Sequence, residues 1–358
     1  MKHVNRVWWR MQINKILWIT AIWTVVSASM GVHQWTVMYE SDCIPPAFDL
    51  GVFILITAVV GCIAGLIGGS TVVIFFEQWI RKLAYGRAIA LMLVIYSIVY
   101  LVIAIIAFFI VKQTEMGRNF GLSSLSEFMF SIEMFSDYII WMIVTILTVI
   151  GLLVNDKYGP GVLKKLLTGQ YFKPKQEERI FMFLDLRNST AIAEQLSPEM
   201  YFTFLKEILE DITQSILNSR GEIYQYIGDE VVISWTMRHG TQHANCLRCF
   251  KEIQAVLDKK ADDYLQKFGV NPSFKAGLHT GTVIAGEIGV IKRDVTYSGD
   301  VLNTASRIQG MCNTLGVDLL FSENLWAALK VRTVLFTPRQ LGTIPLRGKT
   351  EETTLYTL

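Results

Sequence analysis

Apolar residues dominate the first half of the chain in four long stretches. The stretches contain no Asp, Glu, Lys or Arg, and they cover residues 16–39, 50–76, 88–111 and 138–154. A helix that crosses the hydrocarbon core of a bilayer needs about 20 apolar residues, within a range of about 17 to 25. Four buried core helices of this length in succession would be unusual. The pattern therefore predicts an all-α domain of four membrane-spanning helices over residues 1–154.

Lysine and arginine are unevenly distributed around these stretches. They precede the first span, separate the second from the third and follow the fourth, whereas the other two loops carry mostly acidic residues. Because cytoplasmic loops are enriched in Lys and Arg, we expect the N-terminus and the whole second half to be cytoplasmic in a multi-pass membrane protein. Ser27-Ala28-Ser29 weakly resembles a signal-peptide cleavage site, but the apolar run continues past it, so we favour a retained helix.

The spans themselves indicate an anchor rather than a transporter. No acidic or basic residue lies inside an apolar stretch, which disfavours a proton pump, an ion-coupled transporter or a gated channel. Gly61, Gly65 and Gly69 recur every four residues in the second span, a spacing that lets two helices approach closely. These glycines would serve packing within one bundle or contact with a second chain, and the sequence leaves both open.

A polar connector over residues 155–178 joins the last span to the rest of the chain. Gly159-Pro160-Gly161 and Pro174 are helix breakers, and between them apolar residues alternate with Lys164 and Lys165 at helical spacing. This pattern predicts a short amphipathic helix whose lysines contact anionic lipid, with a solvated spacer as the alternative. The connector is the covalent route by which a signal from the spans would reach the second half.

The apolar pattern changes at about residue 179, where strand-like and helix-like segments begin to alternate. Residues 180–184 form an unbroken apolar run that leads directly into Asp185, and such a run is typical of a central strand buried on both faces. A helix is predicted over about 189–217. Gly228-Asp229 then lies between two β-rich runs, as in a two-residue hairpin.

A second helix is predicted over about 241–268, followed by strands near 273–279 and 283–287. The resulting order β-α-β-β-α-β is that of a ferredoxin-like fold. The predicted fold class is therefore α+β, with a ferredoxin-like palm domain over residues 179–358 that follows the all-α membrane domain.

Composition narrows the possible functions. With 52% hydrophobic and 18% charged residues, the 358-residue chain is apolar for a soluble protein and long enough for two units. Its net charge of +2 argues against a nucleic-acid partner, and five scattered cysteines argue against a disulfide framework. Cys246 and Cys249 with His243 could suggest zinc. Their spacing lies within a helix and no second ligand pair completes the site, so we expect small apolar side chains.

The residues with candidate chemistry are two aspartates and one helical pair. If the hairpin lies beside the first strand, Asp185 and Asp229 converge at one edge of the sheet, where two carboxylates and a triphosphate would suit Mg²⁺. Asn303 and Arg307 are four residues apart in a helix that begins near Gly299, so they share a face and could hold a ribose and a phosphate. Each feature also has a purely structural explanation, as a hairpin turn or as surface residues.

Four motifs in this half resemble the class III nucleotidyl cyclases. They occur in the family's order within roughly residues 178–358, and they are residues 183–190, 226–229, 277–281 and 296–307. The resemblance implies the same palm core and the formation of a 3′,5′-cyclic nucleotide and pyrophosphate, with two Mg²⁺ or Mn²⁺ ions per site. In this family the two halves of each site come from different subunits. A chain that carries both halves therefore implies a head-to-tail homodimer.

The resemblance also assigns roles residue by residue. It implies that Asp185, Asp229 and the backbone carbonyl of Leu186 bind the metals. It implies that Asn303 orients the ribose and that Arg307 stabilises the pentavalent transition state. The remaining substrate-binding positions are Gln225 and Thr296 at the purine, Arg347 in place of a phosphate-binding lysine, and Ser189 and Thr190 after the first aspartate.

Gln225 is the main departure from the family pattern, because adenylyl cyclases usually carry lysine there. A glutamine amide can donate and accept hydrogen bonds with adenine, but it can also satisfy guanine. We therefore expect an integral-membrane adenylate cyclase that acts on ATP in a bacterial inner membrane, with a guanylate cyclase that makes cyclic GMP as the alternative. A catalytically silent nucleotide-binding regulator is a further alternative, and loss of the metal aspartates or of Arg307 would mark it.

Overall fold

The structure, a computed structural model, describes residues 4–40, 49–78, 83–112, 124–159, 168–291, 293–330, 336–345 and 352–358. The chain divides into two compact units, Trp8–Lys164 and Lys165–Leu358, the second of which also includes Met1–Val7. Over the described residues, the first unit consists of helices and the second combines helices with a sheet. The amphipathic helix predicted around Lys164 and Lys165 lies outside the described residues.

The first unit contains, within the described residues, four long helices and one short helix. They are α1 (Val4–Glu40), α2 (Leu50–Gln78), α3 (Tyr85–Lys112), the short α4 (Leu125–Met129) and α5 (Ile132–Tyr158). By length and composition the long helices could cross a membrane, and the candidate spans are Gln12–Glu40, Leu50–Ile74, Gly86–Ile106 and Ile132–Lys157. The prediction of four long apolar helices is thus confirmed.

The glycines of α2 face α1. A Cβ atom at Gly61 would lie 2.4 Å from Cβ of Ser27, and one at Gly65 would lie 2.7 Å from Cα of Thr20. Helices can approach this closely only where one of them lacks side chains. Ser27 also donates a hydrogen bond to the carbonyl oxygen of Thr57, at 2.8 Å. The glycine spacing therefore serves packing within one bundle, the first of the two alternatives that the sequence left open.

Helix α5 begins earlier than the apolar run that predicted it. The side chain of Ser131 caps it by accepting a hydrogen bond from the backbone N–H of Met134, so Asp137 lies inside the candidate span. The side-chain amide of Gln34 in α1 donates to both carboxylate oxygens of Asp137, at 3.3 Å each. The expectation that the spans contain no charged residue was therefore wrong for this helix, and the argument against ion transport loses part of its basis.

An eight-stranded sheet, counted over the described residues, forms the centre of the second unit. Its strands are β1 (Lys175–Leu186), β2 (Glu222–Ile227), β3 (Glu230–Thr236), β4 (Phe274–Ile288), β5 (Asp294–Ser298), β6 (Leu319–Ser322), β7 (Arg339–Pro345) and β8 (Glu352–Thr357). Their order is β2-β3-β1-β4-β6-β8-β7, with β5 paired to β4. β1 lies antiparallel between β3 and β4, and its residues 180–182 and Leu184 are fully buried. The predicted central strand is confirmed.

Helices cover both faces of this sheet. They are α6 (Ser189–Gln195), α7 (Pro198–Asn218), α8 (Met237–Thr241), α9 (Asn245–Lys259), α10 (Ala261–Phe268), α11 (Asp300–Gly310), α12 (Cys312–Leu315) and α13 (Glu323–Lys330). Alternate residues of β1 face opposite sides. Met182 packs in one apolar cluster with residues of α7 and α9, whereas Phe181 packs in another with Val301 and Ala305 of α11. The order β1-α7-β2-β3-α9-β4 is the predicted ferredoxin-like core.

A proline and its preceding cap divide the helix predicted over 189–217. Ser197 caps α7 by accepting a hydrogen bond from the backbone N–H of Met200, and Pro198 occupies the first turn. A residue that precedes proline is disfavoured in the helical conformation. The prediction of one continuous helix was therefore wrong, because this segment forms two helices, α6 and α7.

The start of α6 agrees with the prediction of a helix from about residue 189. Its N-cap is Asn188, which lies in the left-handed region with φ 56° and makes no side-chain capping bond. Ser189 and Thr190 belong to the helix itself and do not cap it.

Two other predicted boundaries need correction. The helix predicted over 241–268 is replaced by α8, a 3₁₀ turn (Gln242–Ala244), α9 and α10. His243 and Ala244 have φ angles of 52° and 48°, which interrupt the regular helix before α9. The two strands predicted at 273–279 and 283–287 form a single 15-residue strand, β4, because it pairs with β1 without interruption.

The two cysteines considered for zinc lie on the inner face of α9. Cys246 and Cys249 are fully buried among the apolar side chains of the main core. Burial raises the pKa of both thiols to about 12. Since a thiolate is the form that binds a metal, these side chains behave as the small apolar residues that we expected.

Helix α11 lies directly on β4 at Gly277. A Cβ atom at this glycine would lie 2.2 Å from the backbone nitrogen of Gln309 and 2.6 Å from the carbonyl oxygen of Ala305. Backbone can approach backbone this closely only at a residue without a side chain. Gly277 therefore sets the distance of α11 from the sheet.

Gly277→Ala is expected to destabilise the second unit by about 3 kcal/mol, because the backbone of α11 can move away only by losing its packing on the sheet. For a unit of this size, that corresponds to an unfolding midpoint lower by roughly 6 to 12 °C. Thermal unfolding of the detergent-solubilised chain, followed by circular dichroism, measures the shift. Gly310→Ala is the control, since nothing lies within 4 Å of a Cβ there. Equal midpoints for the two variants would contradict the packing argument.

Candidate active site

The end of β1 places a carboxylate at one edge of the sheet. Asp185 lies opposite Glu230 of β3 and Lys275 of β4, and its side chain is 22% exposed. The residues just before it are buried on both faces, which fixes the strand. The carboxylate is therefore held where the apolar part of the sheet ends.

The β2–β3 hairpin brings a second carboxylate to the same edge. Gly228 has φ 63°, a left-handed conformation that glycine adopts without strain, and it forms the turn together with Asp229. Asp229 directly precedes Glu230, which is the register partner of Asp185. The predicted hairpin is confirmed, and it lies beside the first strand.

Two neighbouring side chains respond to the combined charge of the aspartates. Burial, followed by the negative charges of Asp185 and Asp229, raises the pKa of Glu230 to about 7, although Lys275 opposes the shift. The pKa of Tyr201 in α7 is raised by burial and then by Asp229 and Asp185. These shifts agree with the sheet register, which brings Asp185 and Asp229 to the same edge, where they create one region of negative potential.

Asp185 is held by two contacts that the sequence analysis missed. The ammonium group of Lys275 lies 3.0 Å from its Oδ2 atom, and Nε2 of Gln309 donates to the same oxygen at 2.9 Å. Their sequence signal is position alone, since Lys275 lies two residues before Gly277 and Gln309 lies two residues after Arg307. These contacts join β4 and α11 to the end of β1.

The donor set at this edge fits a divalent cation. The described part of the chain has no group of three or more His, Cys, Asp or Glu side chains that could hold a metal ion. It offers Oδ1 of Asp185 and the carboxylate of Asp229, which accept no hydrogen bond from described residues, and the carbonyl of Leu186, whose side chain is buried. Mg²⁺ suits such a small set of hard oxygen ligands, because water or substrate phosphate completes its coordination.

Helix α11 presents its polar residues on two different faces. Gln309 is buried and contacts Asp185, whereas Asn303 is exposed and Arg307 is half-buried. Residues two positions apart lie on roughly opposite sides of a helix, and residues four apart share a side. Asn303 and Arg307 therefore lie together, as predicted, but on the side of α11 that faces away from Asp185.

The two predicted purine positions lie on strands that do not pair. Gln225 is exposed on β2, and Thr296 is half-buried on β5. Their neighbours connect the strands, because the rings of Tyr224 and Tyr297 are 5.1 Å apart and the backbone N–H of Tyr297 donates to the Tyr224 hydroxyl at 3.4 Å. The contact between Tyr224 and Tyr297 thus connects the two strands that carry Gln225 and Thr296.

The other predicted substrate positions are Ser189, Thr190 and Arg347. Ser189 and Thr190 are the first two residues of α6, four and five positions after Asp185. Arg347 lies outside the described residues. The structure therefore brings the two aspartates together, links the two purine positions, and places the Asn–Arg pair on a separate face.

The second unit also matches a known protein family. The family model described as the adenylate and guanylate cyclase catalytic domain matches residues 172–358. The chain belongs to this family. The resemblance to the class III nucleotidyl cyclases is thus confirmed, and the second unit contains a cyclase domain.

The chain is similar to two adenylate cyclases of Rhizobium meliloti (strain 1021). It is 35% identical to adenylate cyclase 2 over 205 residues, which cover 57% of this chain and 56% of that protein. It is 32% identical to adenylate cyclase 1 over 186 residues, which cover 51% of this chain and 27% of that protein. The chain thus spans about half, or less, of the length of these curated relatives.

One solved structure supports the fold of the cyclase domain. A bacterial light-regulated adenylyl cyclase is similar with a TM-score of 0.52 and 23% sequence identity. The similarity covers 62% of this chain and 63% of that chain. The α+β fold class predicted from the sequence is confirmed.

Glu230→Gln is expected to stabilise the metal-free cyclase domain more at pH 8 than at pH 5. The pKa of Glu230 rises from 4.5 to about 7 on folding, so the native residue loses stability as the pH rises through this range. Glutamine removes the unfavourable ionisation. Urea unfolding of both proteins in EDTA at each pH gives the change in the free energy of unfolding. A change that is equal at the two pH values would contradict the charge argument.

Proposed function

We propose that the chain is an integral-membrane adenylate cyclase that converts ATP to 3′,5′-cyclic AMP and pyrophosphate. The observation that carries the proposal is the convergence of Asp185 and Asp229 at one edge of the sheet, since Asp185 pairs with Glu230 of β3 and Asp229 directly precedes Glu230 in the β2–β3 turn. In a chain of this family, that convergence supports a cyclase with its acidic site intact. Retention of both aspartates and of Arg307 argues against a silent regulator.

The acidic edge would hold two Mg²⁺ or Mn²⁺ ions through Asp185, Asp229 and the carbonyl of Leu186. When bound, such ions lower the pKa of the 3′-hydroxyl that attacks the α-phosphorus and neutralise the pyrophosphate that leaves. The protein's own part is to hold both carboxylates in place. Lys275 and Gln309 do so for Asp185 by binding its Oδ2 atom.

Asn303 and Arg307 would supply the second half of a site. The Asn303 amide would orient the ribose, and the Arg307 guanidinium would stabilise the negative charge that develops on the α-phosphate. Their position on the side of α11 that faces away from Asp185 supports a site shared between two chains. A head-to-tail homodimer would then contain two equivalent sites.

Gln225 and Thr296 would contact the purine. The similarity to two proteins that are named adenylate cyclases favours adenine. A guanylate cyclase is the second candidate, because Gln225 occupies a position where adenylyl cyclases usually carry lysine and its amide can satisfy either base. The residues at the acidic edge would perform the same chemistry with both substrates.

The four apolar helices would anchor the enzyme in a bacterial inner membrane. Their length and composition suit membrane spans. The excess of Lys and Arg around alternate ends of the spans favours a cytoplasmic N-terminus and a cytoplasmic cyclase domain, where ATP is available.

The proposed activity is tested by product formation in the detergent-solubilised full chain. The chain is given ATP or GTP with Mg²⁺ or Mn²⁺, and cyclic AMP is the expected product. Asp185→Asn should lower the rate at least about 100-fold, equivalent to about 2.7 kcal/mol of transition-state stabilisation. Asp258→Asn, an exposed position on α9, is the matched control and should be as active as the native chain. Cyclic GMP as the product would overturn the substrate, and no cyclic product would overturn the function.

Mixing two inactive variants tests the shared site. Asp185→Ala and Arg307→Ala chains are each expected to be inactive as homodimers. Their heterodimer contains one intact site, so random mixing should restore about a quarter of the native activity. Activity is measured after co-expression and again after co-purification on two different affinity tags. Purified heterodimers without activity would contradict the head-to-tail arrangement.

A further inference from the structure

A cluster of aromatic rings around one buried arginine lies behind the two proposed purine positions. The Arg179 guanidinium lies 4.7 Å from the centre of the Tyr297 ring. The Tyr297 ring packs edge-to-face against Tyr224, at 5.1 Å, and against Phe181, at 5.4 Å. These contacts form a core that joins β1, β2 and β5.

The arginine binds three polar partners in this core. Arg179 is 2% exposed, and it forms ion pairs with Glu177 at 3.0 Å and with Glu222 at 3.2 Å. It also donates a hydrogen bond to the hydroxyl of Ser234 at 3.1 Å. A buried guanidinium that loses one of its partners leaves an uncompensated charge, so its neighbours are held in one arrangement.

The connector enters the same core through one residue. Tyr171 is 2% exposed, whereas the next residue, Phe172, is 71% exposed. The carbonyl oxygen of Tyr171 accepts a hydrogen bond from the backbone N–H of Glu287 in β4 at 3.1 Å. A hydrogen bond joins its side chain to that of Tyr297. The segment just before β1 is thus attached to the β4–β5 hairpin by Tyr171.

Strand geometry relates this core to the purine positions. Tyr224 directly precedes Gln225 on β2, and Tyr297 directly follows Thr296 on β5. The register of β2 with β3 shifts between Ile223 and Gln225, so Tyr224 lies at a β-bulge. Because each tyrosine is adjacent in the chain to one purine position, the contact between the two rings limits how far apart the backbones of Gln225 and Thr296 can lie, although β2 and β5 do not pair.

We propose that Tyr171, Arg179, Tyr224 and Tyr297 are positioning residues that fix the width of the purine pocket, and that Tyr171 makes this width depend on the connector. The inference rests on the proposed function, because it takes Gln225 and Thr296 as the residues that contact the base. The ligand that it concerns is a purine nucleoside triphosphate, and the part of the ligand affected is the base.

The cluster lies well away from the acidic edge. Arg179 and Asp185 are six residues apart on β1, which corresponds to about 20 Å along a strand. Loss of Tyr171 should therefore weaken recognition of the base without changing the contacts to the triphosphate. Weaker binding of the base with unchanged binding of the triphosphate would distinguish this role from a general loss of structure, which would weaken both.

The test compares Tyr171→Ala with Phe172→Ala in the detergent-solubilised full chain. Values of kcat and KM are measured for ATP and for GTP, and inorganic tripolyphosphate serves as a competitive inhibitor that has no base. Tyr171→Ala is expected to raise KM for ATP about tenfold, the effect of losing about 1.4 kcal/mol of ground-state binding. It should lower the preference for ATP over GTP by a similar factor and leave kcat and tripolyphosphate inhibition within about threefold. Phe172→Ala should behave as the native chain.

Tyr171→Phe keeps the ring and removes only the hydroxyl, so it tests the same contact if the alanine variant does not fold. It should raise KM for ATP about threefold, since one buried hydrogen bond is lost. Equal values for the Tyr171 and Phe172 variants would overturn the inference, and so would an equal loss of ATP, GTP and tripolyphosphate binding. If the native chain makes no cyclic nucleotide, the proposed function fails. Displacement of a fluorescent ATP analogue by ATP, GTP and tripolyphosphate then tests the inference separately.

Discussion

The confinement of like charges at one edge of a buried sheet is the constraint on which the cyclase domain depends. Asp185, Asp229 and Glu230 carry like charges that repel one another, and burial followed by the charges of the two aspartates raises the pKa of Glu230. Lys275 offsets this repulsion at Asp185 and at Glu230, and Gln309 donates a hydrogen bond to Asp185. The carboxylates stay together because β1 is buried on both faces and the β2–β3 hairpin pairs with it. An arrangement that is unfavourable without a cation is favourable for binding one.

Local patterns were sufficient for the parts of the site that come from one segment. The apolar run before Asp185, the Gly228-Asp229 turn and the start of α11 after Gly299 each depend on a few adjacent residues. The break before α7 also had a local signal, in Ser197 and Pro198, which a prediction of one continuous helix did not use. The boundary between α6 and α7 was therefore predictable from Ser197 and Pro198, although the helical periodicity of apolar residues continues across it.

Contacts between segments could not be predicted, because they depend on strand order and register. Lys275 meets Asp185 because β4 pairs antiparallel with β1 in one particular register. Tyr224 meets Tyr297 although their strands are not neighbours in the sheet. In the first unit, Asp137 lies near the start of its helix, and its partner in α1 is more than 100 residues away. Periodicity indicates which face of an element is buried, but not which residue of another element lies opposite.

Helix α11 takes part in two sites of the proposed dimer. Gln309 binds it to Asp185 of its own chain, and its other side presents Asn303 and Arg307. In a head-to-tail dimer the aspartate belongs to one site and the Asn–Arg pair to the other. At Gly277 the helix lies too close to β4 for any side chain to intervene, so helix and strand move as one body. In the proposed dimer, a displacement of Asp185 in one site would therefore reach Asn303 and Arg307 in the other through one hydrogen bond and one backbone contact.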